Sequence, residues 1–441
     1  MLRSYGTVNA CLTCRWYFAG ADLQWLQESC SSPSQSSLPT SKSTLNVSAL
    51  SSLWQDHFRD AAVSLPPEPE SPVPVRSSGR QGTVEPFTLV HDPAAWRASD
   101  WAGRTDHIYQ LSSRDIEELR DAVECIFRKK LEVEGNLVQL RQSVASKSDF
   151  PLPTLGPKLQ AICHEVSFGR GFQLIRGVPV QEWSRLQVLV AYWGMGLWLG
   201  KVMPQNKKGH IIGHIKDIGG DVHNPTTRIY LTRMDQPWHC DSADIVGLLC
   251  LQPAKEGGLS SFSSSVSVHN ELLRRGRQDL VEELTKDEWY LDRKNEIPEG
   301  KLPYYRLPIF NYHQGHLATS FSATYYELAQ RHADVPKLTK KQEEALAAFS
   351  ALAMSPELRL DWMLQPGDIQ LLHNTTMLHT RTAWEDFEDG RKRHLLRLWV
   401  APEQDKVLPP AYAEQWGSTE IGDRGGMFIP GSVPTVPLEA E

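Results

Sequence analysis

The residues best placed to do chemistry are His239 and Asp241 in Gln236-Pro-Trp-His239-Cys-Asp241. They are joined by a histidine about 140 residues further on, in Leu378-His379-Thr-Arg381. In an extended segment, residues two apart project to the same side, so His239 and Asp241 converge while Cys240 turns away. Two imidazoles and one carboxylate on one face of an octahedral ion leave three positions open, the arrangement of non-haem Fe(II) centres that activate O2. His-x-Asp alone is a weak signal. Its setting strengthens it, because the apolar run Ile245–Leu251 follows at once and reads as a core strand. Ligands on strand ends at the mouth of a barrel are where a pocket forms. For the second imidazole there are two candidates, His373 and His379, and spacing does not separate them.

An iron centre that reduces O2 needs two further electrons, commonly from an oxo acid whose distal carboxylate suits a buried arginine fork. Arg391-Lys-Arg393-His-Leu-Leu-Arg397-Leu-Trp-Val400 offers one. As a strand, it puts Arg393, Leu395, Arg397 and Trp399 on one face and His394, Leu396, Leu398 and Val400 on the other. An arginine in mid-strand among apolar neighbours is costly unless paired, so Arg397 calls for an anion, either a co-substrate or a core carboxylate. Gln205, Asn206, Asn374 and Trp384 are further pocket candidates on adjoining loops. His210 and His214 are four apart but lack the Glu of a His-Glu-x-x-His motif, and read as loop residues. Cys11-Leu-Thr-Cys14 has metal spacing with no second pair to complete a site. Asn46-Val-Ser48 and Asn374-Thr-Thr376 match the glycosylation pattern, which matters only in a secreted protein.

The elements that must position these residues are short strands punctuated by Gly and Pro. Segments 171–177, 227–232, 244–251, 260–265, 368–372 and 394–400 read as strands. Ser112-Ser-Arg-Asp-Ile116 opens a helix with Ile116, Leu119, Val123 and Ile126 on one face. Further helices are expected over 180–199, an amphipathic one, and over 266–274 and 340–354. The expected fold is α+β, a double-stranded β-helix (jelly-roll) core with flanking helices. Residues 1–84 stand apart, with a Ser-rich stretch, a Pro-rich Leu65–Pro74 and a short helix-compatible segment at 50–62. They read as a disordered extension, and the domain proper as 85–441. The basic, acid-poor start with Arg3 and Arg15 leaves a mitochondrial transit peptide as the alternative to a cytoplasmic location.

Bulk properties narrow the class of partner. With 40% hydrophobic and 22% charged residues the chain is an ordinary globular one, and a net charge of −7 gives no support to nucleic acid. No apolar run approaches the roughly 20 residues that span a bilayer, so no membrane partner is expected. Seven scattered cysteines do not suggest a disulfide framework.

Taken together, Gln236-Pro-Trp-His239-Cys-Asp241, Gly257-Gly-Leu-Ser260, Gly367-Asp-Ile-Gln, Leu378-His379-Thr-Arg-Thr and Arg393-His-Leu-Leu-Arg397 resemble the TauD/TfdA (taurine dioxygenase-like) family of Fe(II)/2-oxoglutarate-dependent dioxygenases. The likeness runs over roughly residues 86–441, including Gly422-Asp-Arg-Gly-Gly426, and points to a little-characterised fungal and bacterial branch. It implies a clavaminate synthase-like fold, with His239, Asp241 and His379 as both catalytic centre and iron ligands, which leaves His373 as a supporting or structural histidine. It implies Arg397 on the distal carboxylate of 2-oxoglutarate, Arg393 near the other end of that molecule, and Ser260 where the family often carries Thr. The implied oxidoreductase consumes Fe(II)-bound 2-oxoglutarate and O2, releases succinate and CO2, and oxidises, most simply hydroxylates, an unactivated C–H of a small-molecule substrate. The alternative is a jelly-roll binding protein or pseudoenzyme of the same fold. Oligomeric state is not specified by any of these features.

Overall fold

The run Ile245–Leu251 forms a strand whose side chains are buried on both faces, which is why it reads as continuously apolar rather than alternating. Val246, Leu248 and Cys250 face one core, and Ile245 and Leu249 face another. The structure is a computed structural model that describes residues 84–441, apart from 130, 141–144, 222–223, 225–226 and 428–433. The expectations for residues 1–83, including Cys11 and Cys14, Asn46, the 50–62 segment and the targeting signal, lie outside the described residues.

Eleven of the strands carry the site: β1 (Ile108–Gln110), β2 (Phe172–Arg176), β3 (Lys201–Val202), β4 (Ile212–Lys216), β5 (Gln236–His239), β6 (Ile245–Gln252), β7 (Ser260–Ser264), β8 (Arg359–Trp362), β9 (Ile369–His373), β10 (Met377–Arg381) and β11 (His394–Ala401). The larger sheet runs β1-β2-β9-β6-β11-β3, with β4 also paired to β11. The smaller runs β8-β7-β10-β5. Pairing within both is antiparallel, except for β1 beside β2. This is the double-stranded β-helix. One core lies between the sheets and holds Phe172, Trp238, Phe262, Leu372, Leu378, Leu395 and Trp399. The second lies on the outer face of the larger sheet, where Leu249, Leu371, Leu396, Leu398 and Val400 meet helices. Strand β11 therefore splits its side chains between two cores by simple alternation, as its sequence predicts.

The helices have identifiable starts. α1 (Ser113–Arg128) is capped by Ser112, which accepts from the Asp115 N–H while the Asp115 carboxylate accepts from the Ser112 N–H. α2 (Leu155–Phe168) and α3 (Arg185–Leu199) complete the outer core. The expected amphipathic helix over 180–199 is α3, and it differs in two respects. It begins only at the Ser184–Gln187 capping box, and it is buried on nearly every side rather than along one stripe. At the sheet it crosses Gly247, where a Cβ would lie 2.7 Å from the Tyr192 hydroxyl, so this close approach needs glycine. α4 (Ser265–Arg274), α5 (Gln278–Leu284), α6 (Ala323–Ala329) and α7 (Lys340–Met354) follow, and α4, α5 and α7 pack together beside β7.

Two expectations about elements are overturned. Segment 227–232 is not a strand but a 3-10 turn at Ile229–Leu231, closed by Thr232 bonding back to Ile229. His214 is not in a loop: it sits on β4, opposite Leu396 of β11, and shares a 2.7 Å hydrogen bond with His394. The Asn374 glycosylation pattern is buried and so unavailable. Among the described residues, no helix is long and apolar enough to cross a membrane, and Cys125, Cys163, Cys240 and Cys250 are free thiols.

Candidate active site

The two imidazoles meet because the smaller sheet registers them as a cross-strand pair. His239 ends β5 and His379 lies opposite it on β10, with ring centres 4.1 Å apart. Asp241 follows just past the strand end. One donor atom from each of His239, Asp241 and His379 lies within 4.8 Å of the others. Burial, helped by the Arg397 charge, lowers the His239 proton affinity despite the opposing Asp241 carboxylate, and burial with the neighbouring His239 lowers His379 to about 3. Both rings are thus neutral, the form that binds a metal. Burial works to raise Asp241, but the Arg397 charge beside it holds the carboxyl below its usual range and keeps it ionised.

Orientation is fixed from behind. His239 Nδ1 is 2.9 Å from the Pro237 carbonyl, so Nδ1 carries the proton and Nε2 presents its lone pair. The Gln236 side-chain amide stands 2.8 Å from that Nε2, taking the lone pair a metal would use. Asp241 accepts from Arg397 Nη1 at 3.2 Å on one oxygen and from Trp399 Nε1 at 3.0 Å on the other. Arg397 in turn donates from Nε to Gln205 at 2.7 Å. Each Asp241 oxygen keeps further acceptor capacity. The donor set, its charges and the His239 tautomer fit a divalent iron, while His379 Nδ1 is buried with no hydrogen-bond partner among the described residues.

The loop from Asp241 to Asp244 is clamped from three sides. Asn374, on the turn that crosses from β9 to β10, accepts from the Asp241 N–H at 3.0 Å and donates to the Ala243 carbonyl at 2.8 Å. Gly426 donates its N–H to the Ser242 carbonyl. Arg424 pairs with Asp244 at 2.8 Å. Asn374, expected to line a pocket, is instead this clamp. His373 belongs to the same buried network: its Nε2 lies 3.0 and 3.1 Å from the two Asp405 oxygens, and Arg424 is 3.7 Å from Asp405. Asp244, His373 and Asp405 also lie close enough to one another to hold an ion. Their mutual bonds and Arg424 already use that space.

A second group of side chains has unused donors. Arg381 and Arg393 are both buried and both lie on the indole of Trp384, at 4.1 and 4.9 Å from its centre. Arg381 Nε and Nη1, Arg393 Nη1 and Gln370 Nε2 are buried without hydrogen-bond partners among the described residues. Burial lowers Arg393 to about 10 and Arg381 well below its usual range, because no carboxylate is bonded to either guanidinium. A guanidinium stays protonated in proteins, so the cost is borne until an anion arrives. The paired glycines are explained here. Gly257 and Gly258 both have positive φ, and a Cβ on Gly258 would lie 2.7 Å from Arg393 Nε. Ser260 opens β7 opposite Arg381 and donates to Gln370 at 2.7 Å.

Arg397 therefore has its anion, Asp241, while the unsatisfied forks are on Arg393 and Arg381. The sequence reading passed over Arg381, although it stands two residues after His379 on the same strand, where period-two alternation aims both side chains alike. On the other side, His239, Asp241 and Arg397 line a cavity of about 120 Å³ that also reaches Tyr230, Arg228, Tyr325 and Lys294.

Residues 136–399 match the family model described as Taurine catabolism dioxygenase TauD, TfdA family. The chain is 34% identical to "FR-33289 synthase" of Streptomyces rubellomurinus over 60% of its own length and 80% of that protein's. It is 30% identical to "Taurine hydroxylase-like protein SAT17" of Stachybotrys chartarum over 70% and 79% of the two chains. Among solved structures, an asparagine oxygenase in complex with Fe(II), 2S,3S-3-hydroxyasparagine and succinate shares the fold, with a TM-score of 0.51 at 16% identity over 67% of this chain and 93% of that one.

Proposed function

Because the chain belongs to the TauD/TfdA family of dioxygenases, which use Fe(II), 2-oxoglutarate and O2, we propose that it oxidises an unactivated C–H bond of a small-molecule substrate, by hydroxylation. The observation that carries this reading is the convergence of His239, Asp241 and His379 donors within 4.8 Å, next to two buried arginines with unused N–H groups. His239, Asp241 and His379 would hold the iron. With 2-oxoglutarate and O2 bound, the iron supplies the oxidising power for C–H cleavage, and succinate and CO2 are released.

The chain's own residues do the rest. Pro237 fixes the His239 tautomer, and Arg397 with Trp399 holds Asp241 ionised and oriented. Gln205 keeps Arg397 in that pose. For the distal carboxylate of 2-oxoglutarate the geometry favours Arg393, with Arg381 and Ser260 beside it, over Arg397. A fork already engaged with Asp241 has less to gain from a new carboxylate than a fork with free donors. Arg397 then faces the cavity in which the substrate lies. Buried Phe262 stands opposite His379 and buried Trp399 lines the cavity beside Asp241, an apolar setting that strengthens charge interactions there.

The test is substrate-dependent succinate release by the full chain with Fe(II), ascorbate and 2-oxoglutarate, screened by mass spectrometry against amino acids, sulfonates and cell extract. The reading expects slow succinate formation without substrate and faster formation with the right one. Absence of both succinate and bound iron would sink it and leave the inactive binding protein.

A further inference from the structure

Within the cavity that His239 and Asp241 line, one charge has no counterpart. Lys294 is 7% exposed, and its ammonium makes no hydrogen bond or ion pair among the described residues, meeting only the Tyr325 ring at 5.2 Å. The other charges of this wall are matched. Asp292 is held by both nitrogens of the Arg331 fork and by His332. Glu296 pairs with Arg228, which also donates to the Tyr325 hydroxyl at 2.7 Å. Arg293 donates to the Leu302 and Glu414 carbonyls.

The backbone pays a conformational cost to hold this side chain inward. Lys294 and Asn295 both adopt positive φ, at 48° and 64°, and the Lys294 N–H is tied to Asp292 at 2.6 Å. An ammonium taken out of water without an anion is destabilising unless something supplies one. Burial, with Arg228 nearby, leaves its proton affinity lowered to about 7. The cavity is about 120 Å³, so the group that supplies the charge inside it is compact.

We propose that Lys294 is the recognition residue for an oxyanion on the substrate, making the substrate class a compact organic anion. Arg228 and Tyr325 flank the ammonium and position it. This rests on the dioxygenase reading for what happens to the substrate, but not for its binding, which is measured without iron.

The experiment is calorimetric titration of the iron-free full chain with propionate, methanesulfonate and methylphosphonate, and with propanamide as the neutral probe. The wild type, Lys294→Met and Lys294→Arg are compared, with 2-oxoglutarate titrated into each as a control. At least one oxyanion is expected to bind the wild type at least about tenfold more tightly than Lys294→Met, with Lys294→Arg within about threefold of the wild type. The 2-oxoglutarate affinity should be equal in all three. Because Lys294→Met removes a buried unpaired charge, its melting temperature without ligand should equal or exceed that of the wild type, which shows that the variant folds. Equal oxyanion binding by Lys294→Met, equal binding of propanamide, or a matching fall in 2-oxoglutarate affinity overturns the proposal. Failure of iron binding or succinate release with the Lys294 difference intact would count against the dioxygenase reading alone.

Discussion

Replacing Arg393 with leucine separates co-substrate binding from folding, because the two respond in opposite directions. Arg393 is 4% exposed, stacks on Trp384 and keeps its Nη1 unpartnered. With its proton affinity near 10 it is charged at neutral pH, with no carboxylate bonded to the guanidinium. Exchanging an uncompensated buried charge for an apolar side chain removes a desolvation cost. The unliganded variant should therefore unfold at equal or higher urea, by on the order of 1 kcal/mol. Binding of 2-oxoglutarate should move the other way. A fork on a carboxylate makes two charge-assisted hydrogen bonds worth roughly 1.5–3 kcal/mol each, so losing both weakens binding by about 10²- to 10⁴-fold. The assay is anaerobic titration of 2-oxoglutarate into the Fe(II)-loaded wild type, Arg393→Leu and Arg397→Leu, with urea unfolding curves taken with and without co-substrate. Saturating 2-oxoglutarate should stabilise the wild type and barely stabilise Arg393→Leu. Retention of affinity by Arg393→Leu to within about threefold would rule Arg393 out as the co-substrate clamp, and a loss confined to Arg397→Leu would return the distal carboxylate to Arg397.

Two further outcomes are expected. Asn374→Ala leaves the Asp241 N–H and Ala243 carbonyl without the amide that clamps them. It should cost about 1–3 kcal/mol in urea unfolding and lower iron affinity by roughly 10- to 100-fold, with 2-oxoglutarate affinity spared; unchanged iron affinity counts against the clamp. His269 is fully buried between Asn270 and Tyr312, and burial lowers its proton affinity to about 4. Below pH 6.5 the unfolded chain takes up this proton before the folded one, so stability falls as pH drops from about 6.5 to 4, by at most about 1.4 kcal/mol per pH unit from this group. The slope of unfolding free energy against pH in that window should flatten in His269→Gln, and an unaltered slope would contradict the assignment.

How legible the molecule is in its sequence depends on whether the signal is local. Strands β6, β7, β9 and β11 are readable because apolar runs and alternation report the two cores directly, and α1 and α7 because their caps are written at Ser112 and Thr339. Segment 227–232 was misread because its Ile, Tyr and Leu suit a strand equally well, and only the return bond from Thr232 to Ile229 makes the turn. His239 and Asp241 are a local pair and could be seen. That His373 is a structural histidine could be expected, but its partners could not, since Asp405 and Arg424 come from later in the chain and meet it only in space. Lys294 was invisible for the same reason: a lysine in a charged loop gives no sign that every neighbouring charge is already matched. The pairing of Arg397 with Asp241 bridges 156 positions, and sequence offered only the need for some anion.

The metal centre stands or falls on which of the two histidines, His379 or His373, holds the iron. An anaerobic Fe(II) titration of the wild type, His379→Ala and His373→Ala, read as iron retained per chain after desalting, tests it directly. The wild type should retain a single equivalent, His379→Ala almost none, and the folded fraction of His373→Ala a near-full equivalent, with the cost of that substitution appearing as lowered stability. Iron retained by His379→Ala and lost from folded His373→Ala would contradict the metal centre described here.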